Sequence, residues 1–366
     1  MDREPEQLRF LGFFGIYKEA LKIIHSRRRL FGLVSLTLIL PLSVIFLANY
    51  EISAAIFAKI NQTEATPNTA HDKLRGEWAQ FWLFKLGYLI IVVIFSLLST
   101  SAVVYMVACV YAGKDMTYRK IMAVVPRVWK RLMVTFFWLF IIGVGYNLTS
   151  LLVIAMIIVF LKGVAELVLV IVLTVLYLVG LVYLCVVWQL AGVISVLEEK
   201  CGWAAMAKGK ELIKGKLFVA SAIFVVLSLI DAGIHVGFVA LVVQPYWAEV
   251  GPRVGCGFMF LFLLCGIILL GLVTQSIIYF VCKSYHHESI DKSGLSDHLE
   301  LYGKYVRLSR QTAQTDDQQS HIVDLHPDLT MSGSISYYLY KILWTNHKQA
   351  GEDLVEKLNP VPCQAR

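Results

Sequence analysis

Asp231 and His235 are the two residues of this 366-residue chain whose types and spacing most suggest chemistry. They lie four apart inside an otherwise apolar stretch, so on a helix a carboxylate and an imidazole share one face. Ionisable groups at membrane depth are costly and mark functional sites by default. Asn147 follows Leu132 by about as many residues as Asp231 follows Leu217, which brings a third polar group to similar depth. Gln189 and Gln275 lie in neighbouring apolar stretches. The five together read as a candidate intramembrane site for a proton or an ion. The competing reading is interhelical glue, in which such groups hydrogen-bond across helices at about 0.6 kcal/mol each.

These residues need a frame of long apolar helices, and composition supplies one. Hydrophobic residues make up 58% of the chain and charged residues 16%, far from the roughly 45–50% and 25% of soluble domains. The excess is segregated into Leu30 to Ala48, Phe81 to Ala112, Leu132 to Leu161, Leu167 to Leu197, Leu217 to Val243 and Val254 to Val281. Each block can cross a hydrocarbon core of about 30 Å, which takes about 20 helical residues. The expected fold is therefore all-α, a polytopic membrane bundle of six spans. A cytosolic segment covers 1–29, the membrane domain 30–285 and a largely disordered cytosolic tail 286–366. The first block reads as a retained span, because no small-residue cleavage site follows it.

Basic residues alternate sides between the blocks. Arg3, Arg9, Lys18, Lys22, Arg27, Arg28 and Arg29 precede the first. Lys114, Arg119, Lys120, Arg127, Lys130 and Arg131 fill the second connection, and Lys200, Lys208, Lys210, Lys214 and Lys216 the fourth. The remaining connections hold only Lys59, Lys73, Arg75, Lys162 and Arg253. This positive-inside pattern puts both termini in the cytosol. It accounts for the net charge of +7 through anionic lipid headgroups, without a nucleic acid. Arg27, Arg28, Arg29, Lys130, Arg131, Lys214 and Lys216 are the candidate headgroup contacts. Asn61-Gln62-Thr63 falls on the opposite side as a glycosylation acceptor, while the same pattern at Asn147 falls inside a span.

An internal repeat runs through these boundaries. An aromatic residue opens a basic stretch leading into a span at Tyr17 to Leu30, Tyr118 to Leu132 and Trp203 to Leu217. Each copy reads as a basic amphipathic helix in the headgroup plane, giving a pseudo-threefold plan of interfacial helix, outward span and return span. That differs from the inverted repeats of secondary transporters.

Catalytic and metal motifs are missing from the pattern. There is no G-x-S-x-G, Walker-type loop or H-E-x-x-H. His286, His287, Glu288, Asp291 and His298 lack metal-ligand spacing, and the seven cysteines have no C-x-x-C pair, so neither a structural zinc site nor a disulfide framework is expected. Cys201 and Cys282 sit at membrane edges, where small apolar filler outweighs acylation. No cofactor, metal or catalytic residue is expected. Pro41 reads as a helix kink, Pro126 as a kink or restart, and Ser336 to Trp344 as a short interfacial or partner-binding helix in the tail.

Leu8-Arg9-Phe10-Leu11-Gly12, Ile16-Tyr17-Lys18-Glu19-Ala20, Leu36 to Ser43, Leu197-Glu198-Glu199 through Lys214-Gly215-Lys216, and Tyr285 to Asp291 resemble stretches of a family of uncharacterised plant multi-span membrane proteins. The likeness covers about residues 8 to 300. It implies a plant endomembrane or plasma-membrane protein and carries no activity. A fainter likeness in layout is to bacterial membrane domains that accompany glycerophosphodiester phosphodiesterases. The expected function is to organise membrane lipids or protein partners through the cytosolic loops and tail. The alternative is a transporter or channel for a small solute or lipid using Asp231 and His235. Oligomeric state is open.

Overall fold

The computed structural model describes residues 11–64, 70–114, 116–160, 163–198, 200–243 and 250–286. Among them every regular element is a helix. In chain order the elements are α1 (Phe13–Ser26), α2 (Arg28–Val34), a π-helical turn (Ser35–Ile39), α3 (Leu40–Glu64), α4 (Ala70–Tyr111), α5 (Tyr118–Phe160), α6 (Val164–Leu197), α7 (Trp203–Leu212), α8 (Leu217–Phe238), a second π-helical turn (Val239–Val243) and α9 (Val250–Tyr285). Six helical stretches are long and apolar enough to cross a membrane: Arg28–Gln62, Arg75–Tyr111, Val128–Phe160, Leu167–Leu197, Leu217–Val243 and Gly251–Tyr285.

Both prolines expected to bend helices are accommodated. Pro41 has no N–H, and its ring collides with the carbonyl four residues back. The chain widens into the π turn just before it, with Leu40 N–H reaching Ser35 O and Thr37 Oγ1 donating to Leu33 O at 2.9 Å. Pro126 lies within α5, which continues past it into the third span.

Packing is densest at the end of the bundle that carries the basic segments. There α4 is enclosed over eight consecutive residues, Ala102 to Cys109, the sign of a helix surrounded on every side. Val187, Ala191 and Ile194 of α6 and Ile277, Tyr279 and Cys282 of α9 complete this core. A second cluster at the other end joins Leu47 of α3, Ile234, Phe238 and Val242 of the fifth span, and Phe260 and Leu264 of α9. Arg253 closes that end by donating from Nε and Nη2 to Val242 O at 3.1 and 2.7 Å, where the π turn leaves a carbonyl to satisfy.

Two glycines set the segment around α7. Gly202 has φ +58° and donates its N–H to Thr135 Oγ1 at 2.9 Å, and an added Cβ would meet Trp138 Cδ1 at 3.0 Å. Gly215 has φ +89° and lies against the Tyr285 ring, where an added Cβ would meet Cε1 at 2.5 Å. Positive φ is open to glycine and costly to other residues, so both turns require it.

Candidate functional site

Asp231 and His235 share one face of α8, with Oδ2 and Nε2 3.7 Å apart. Their side chains are 43% and 18% exposed. The imidazole packs between Phe46 and Tyr50 of α3, at ring-centroid distances of 6.2 and 5.3 Å. Its Nδ1 is buried and has no hydrogen-bond partner, a state that costs about 1–3 kcal/mol.

Asn147 is held elsewhere. Tyr177 OH donates to its Oδ1 at 2.7 Å, and its Nδ2 donates to Gly143 O at 2.7 Å. Tyr146 OH donates to Tyr177 O at 3.0 Å, and the two tyrosine rings stack 5.6 Å apart. Asn147 thus ties the third span to the fourth, whereas His235 packs on the first. Gln189 is half-buried on α6 and Gln275 is buried on α9. Of the five residues, the structure brings together Asp231 and His235.

Two polar clusters were overlooked in the sequence. In the first, Lys85 of α4 donates to Asn49 Oδ1 and Ser53 Oγ of α3, both at 2.8 Å. Its ammonium lies 5.4–5.8 Å from the ring centroids of Phe81, Phe84 and Tyr88. The available signal was a lysine standing four residues into the apolar block that opens at Phe81.

The second cluster joins the end of α6 to α7 and α9. Glu198 accepts from Lys208 Nζ at 2.8 Å and from Tyr279 OH at 2.7 Å, with Lys283 Nζ at 3.6 Å. Burial pushes the Glu198 carboxyl up. The hydrogen bonds from Lys208 and Tyr279 and the charges of Lys283 and Lys208 outweigh it and hold the group below its ordinary value. Beside it, His286 Nε2 lies 3.1 Å from both Leu212 O and Lys214 O, so the ring proton sits on Nε2. Together with Gly215 on Tyr285, these contacts clamp the segment from Glu198 to Lys216 onto the last span.

The candidate headgroup contacts divide by environment. Arg27, Arg28, Arg29, Lys130 and Lys214 are exposed. Arg131 is half-buried, and Lys216 is half-buried with its ammonium 5.5 Å from the Tyr285 ring centroid. Tyr17 OH reaches Ile223 O at 3.4 Å, and burial raises its pKa. Cys282 is buried and Cys201 is disulfide-bonded, so neither offers an exposed free thiol. Among the described residues no three of His, Cys, Asp and Glu gather as metal ligands. His287, Glu288, Asp291, His298 and the Ser336 to Trp344 stretch lie outside the described residues. Asn61 is exposed near the end of α3 remote from Arg28.

By length and composition of its helices this is a multi-pass membrane protein. The chain belongs to the family described as Domain of unknown function (DUF8558), which matches residues 1–318. No curated protein and no solved structure matches it.

Proposed function

We propose that this protein organises anionic lipids, and through them protein partners, at the cytosolic leaflet of an endomembrane or the plasma membrane. Both termini are then cytosolic, and the three basic segments form a pseudo-threefold set of headgroup-binding elements. The observation that carries this reading is the exposure of Arg27, Arg28, Arg29, Lys130 and Lys214 at one end of the bundle. In all three segments the apolar side is occupied by protein: Ile16, Ala20 and Ile23 in α1, Ile121, Val124 and Val128 in α5, and Ala205 and Leu212 in α7 are buried. The exposed side carries Arg27, Arg28, Arg29, Lys130 and Lys214 together with Glu211, and Phe14, Leu21, Trp203 and Phe218 as apolar contacts at the acyl boundary.

Each cation near an anionic leaflet contributes about 1 kcal/mol, so replacing Arg27, Arg28 and Arg29 with Gln should weaken anionic-lipid binding by roughly 100-fold. Native mass spectrometry of lipids retained from mixed nanodiscs measures this. Retention equal to that of the natural protein refutes the reading. A second reading is a transporter or channel at Asp231 and His235, favoured by the unpartnered Nδ1 of His235. It requires that Asp231→Asn and His235→Ala abolish flux at normal abundance.

A further inference from the structure

Lys85 sits far along α4 from the basic end of the bundle. At about 1.5 Å per residue it lies about 40 Å from Ala112, and Asn49 lies about 30 Å from Arg29. A hydrocarbon core of about 30 Å therefore puts the Lys85 cluster at the headgroup level of the leaflet opposite Arg27, Arg28 and Arg29. Exposed aromatic residues mark the same level: Phe57 at 41%, Trp78 at 38% and Trp82 at 65% exposure. Tryptophan belts form at such boundaries.

A lysine there ordinarily stretches into water. This one is tied across to the neighbouring helix by Asn49 Oδ1 and Ser53 Oγ, and Ser53 Oγ itself donates to Asn49 O. The charge therefore has a fixed position. Both acceptors are neutral, and neither Lys85 nor Glu51, which stands between Asn49 and Ser53 in sequence, forms an ion pair among the described residues, while Glu77, eight residues before Lys85, lies 3.9 Å from the Lys59 ammonium. An ammonium has three N–H donors, and two are used. The surrounding rings offset the charge only weakly, which leaves a held cation with no ion-pair partner among the described residues and with one further donor at phosphate depth.

We propose that Lys85, positioned by Asn49 and Ser53, binds a phosphate oxyanion at the headgroup level of this opposite leaflet. The phosphate comes from a lipid headgroup or from solution. This site is independent of the cytosolic-leaflet reading, because a chain carrying Gln at 27, 28 and 29 keeps it intact.

The test uses the full chain with those three arginines replaced, with and without Lys85→Gln. In nanodiscs of phosphatidylcholine with a minor share of phosphatidylglycerol, Lys85→Gln should bind phosphatidylglycerol about tenfold more weakly, the effect of losing a charge-assisted hydrogen bond. In phosphatidylcholine nanodiscs alone, added inorganic phosphate should raise the melting temperature only if the oxyanion comes from solution, and then only with Lys85 present. Asn49→Ala keeps the charge and frees it, and should weaken whichever probe binds by about threefold, so a Lys85→Gln chain that fails to accumulate leaves the test standing. Binding of both probes unchanged by Lys85→Gln or by Asn49→Ala, or no binding of either probe to the Lys85 chain, overturns the proposal.

Discussion

Replacing Glu198 with Gln removes an anion from a cluster containing Lys208, Lys283 and Tyr279. Side-chain exposures of 15% for Glu198, 17% for Lys208 and 21% for Lys283 place the group between a buried and a surface ion pair. Breaking a fully buried pair from one side costs about 3–5 kcal/mol, and an exposed pair contributes about 0.2–1 kcal/mol. The expected loss is about 2 kcal/mol, or about 5 °C in melting temperature at roughly 2–4 °C per kcal/mol. Thermal unfolding in detergent, followed by the monodisperse fraction on size exclusion, reads it directly. Because the folded carboxyl is held below its ordinary value of 4.5, the stabilisation is complete above that pH and disappears as pH falls through the lowered folded value. The difference between natural and Glu198→Gln chains should therefore be flat from pH 5 to 7 and shrink toward pH 3. A double-mutant cycle with Lys208→Met should give a coupling of about 1 kcal/mol. A coupling below about 0.3 kcal/mol, within the additivity expected of independent sites, refutes the clamp.

Gly215→Ala should cost about 2 kcal/mol from its positive φ together with the collision with Tyr285; adding Tyr285→Ala should relieve the collision and leave the backbone cost. The paired Asp231→Asn and His235→Ala variants test the transport reading in proteoliposomes: if it holds, each loses flux while its melting temperature stays within a few degrees of the natural chain. On the proposed orientation, with both termini cytosolic, the Asn61 side of the bundle faces the lumen or outside, so Asn61→Gln should remove a glycan detectable as a mobility shift.

The six spans were legible because apolar residues are segregated by the need to satisfy every backbone group inside lipid. The adjacency of Asp231 and His235 was legible from helical periodicity alone. Asn147 shows where periodicity ends: its depth could be counted, but which neighbour it faces depends on how α5 packs on α6. Glu198 and Tyr279 meet across 81 residues, so their contact belongs to tertiary packing that no local pattern encodes. Lys85 was hidden for a different reason, since one charge barely alters the average of a long apolar block while fixing the chemistry of a helix seam. The stretch from Tyr118 to Leu132 differs again from expectation, being the first turns of one helix that continues into the third span.

The most direct measurement is the number of anionic lipids retained by the full chain on transfer from nanodiscs containing phosphatidylserine, compared with the Arg27→Gln, Arg28→Gln, Arg29→Gln, Lys130→Gln, Lys214→Gln chain at equal melting temperature. The proposed function predicts near-complete loss of the lipids bound at the basic end and a matching loss of co-purifying protein partners. Unchanged lipid retention and unchanged partners contradict it.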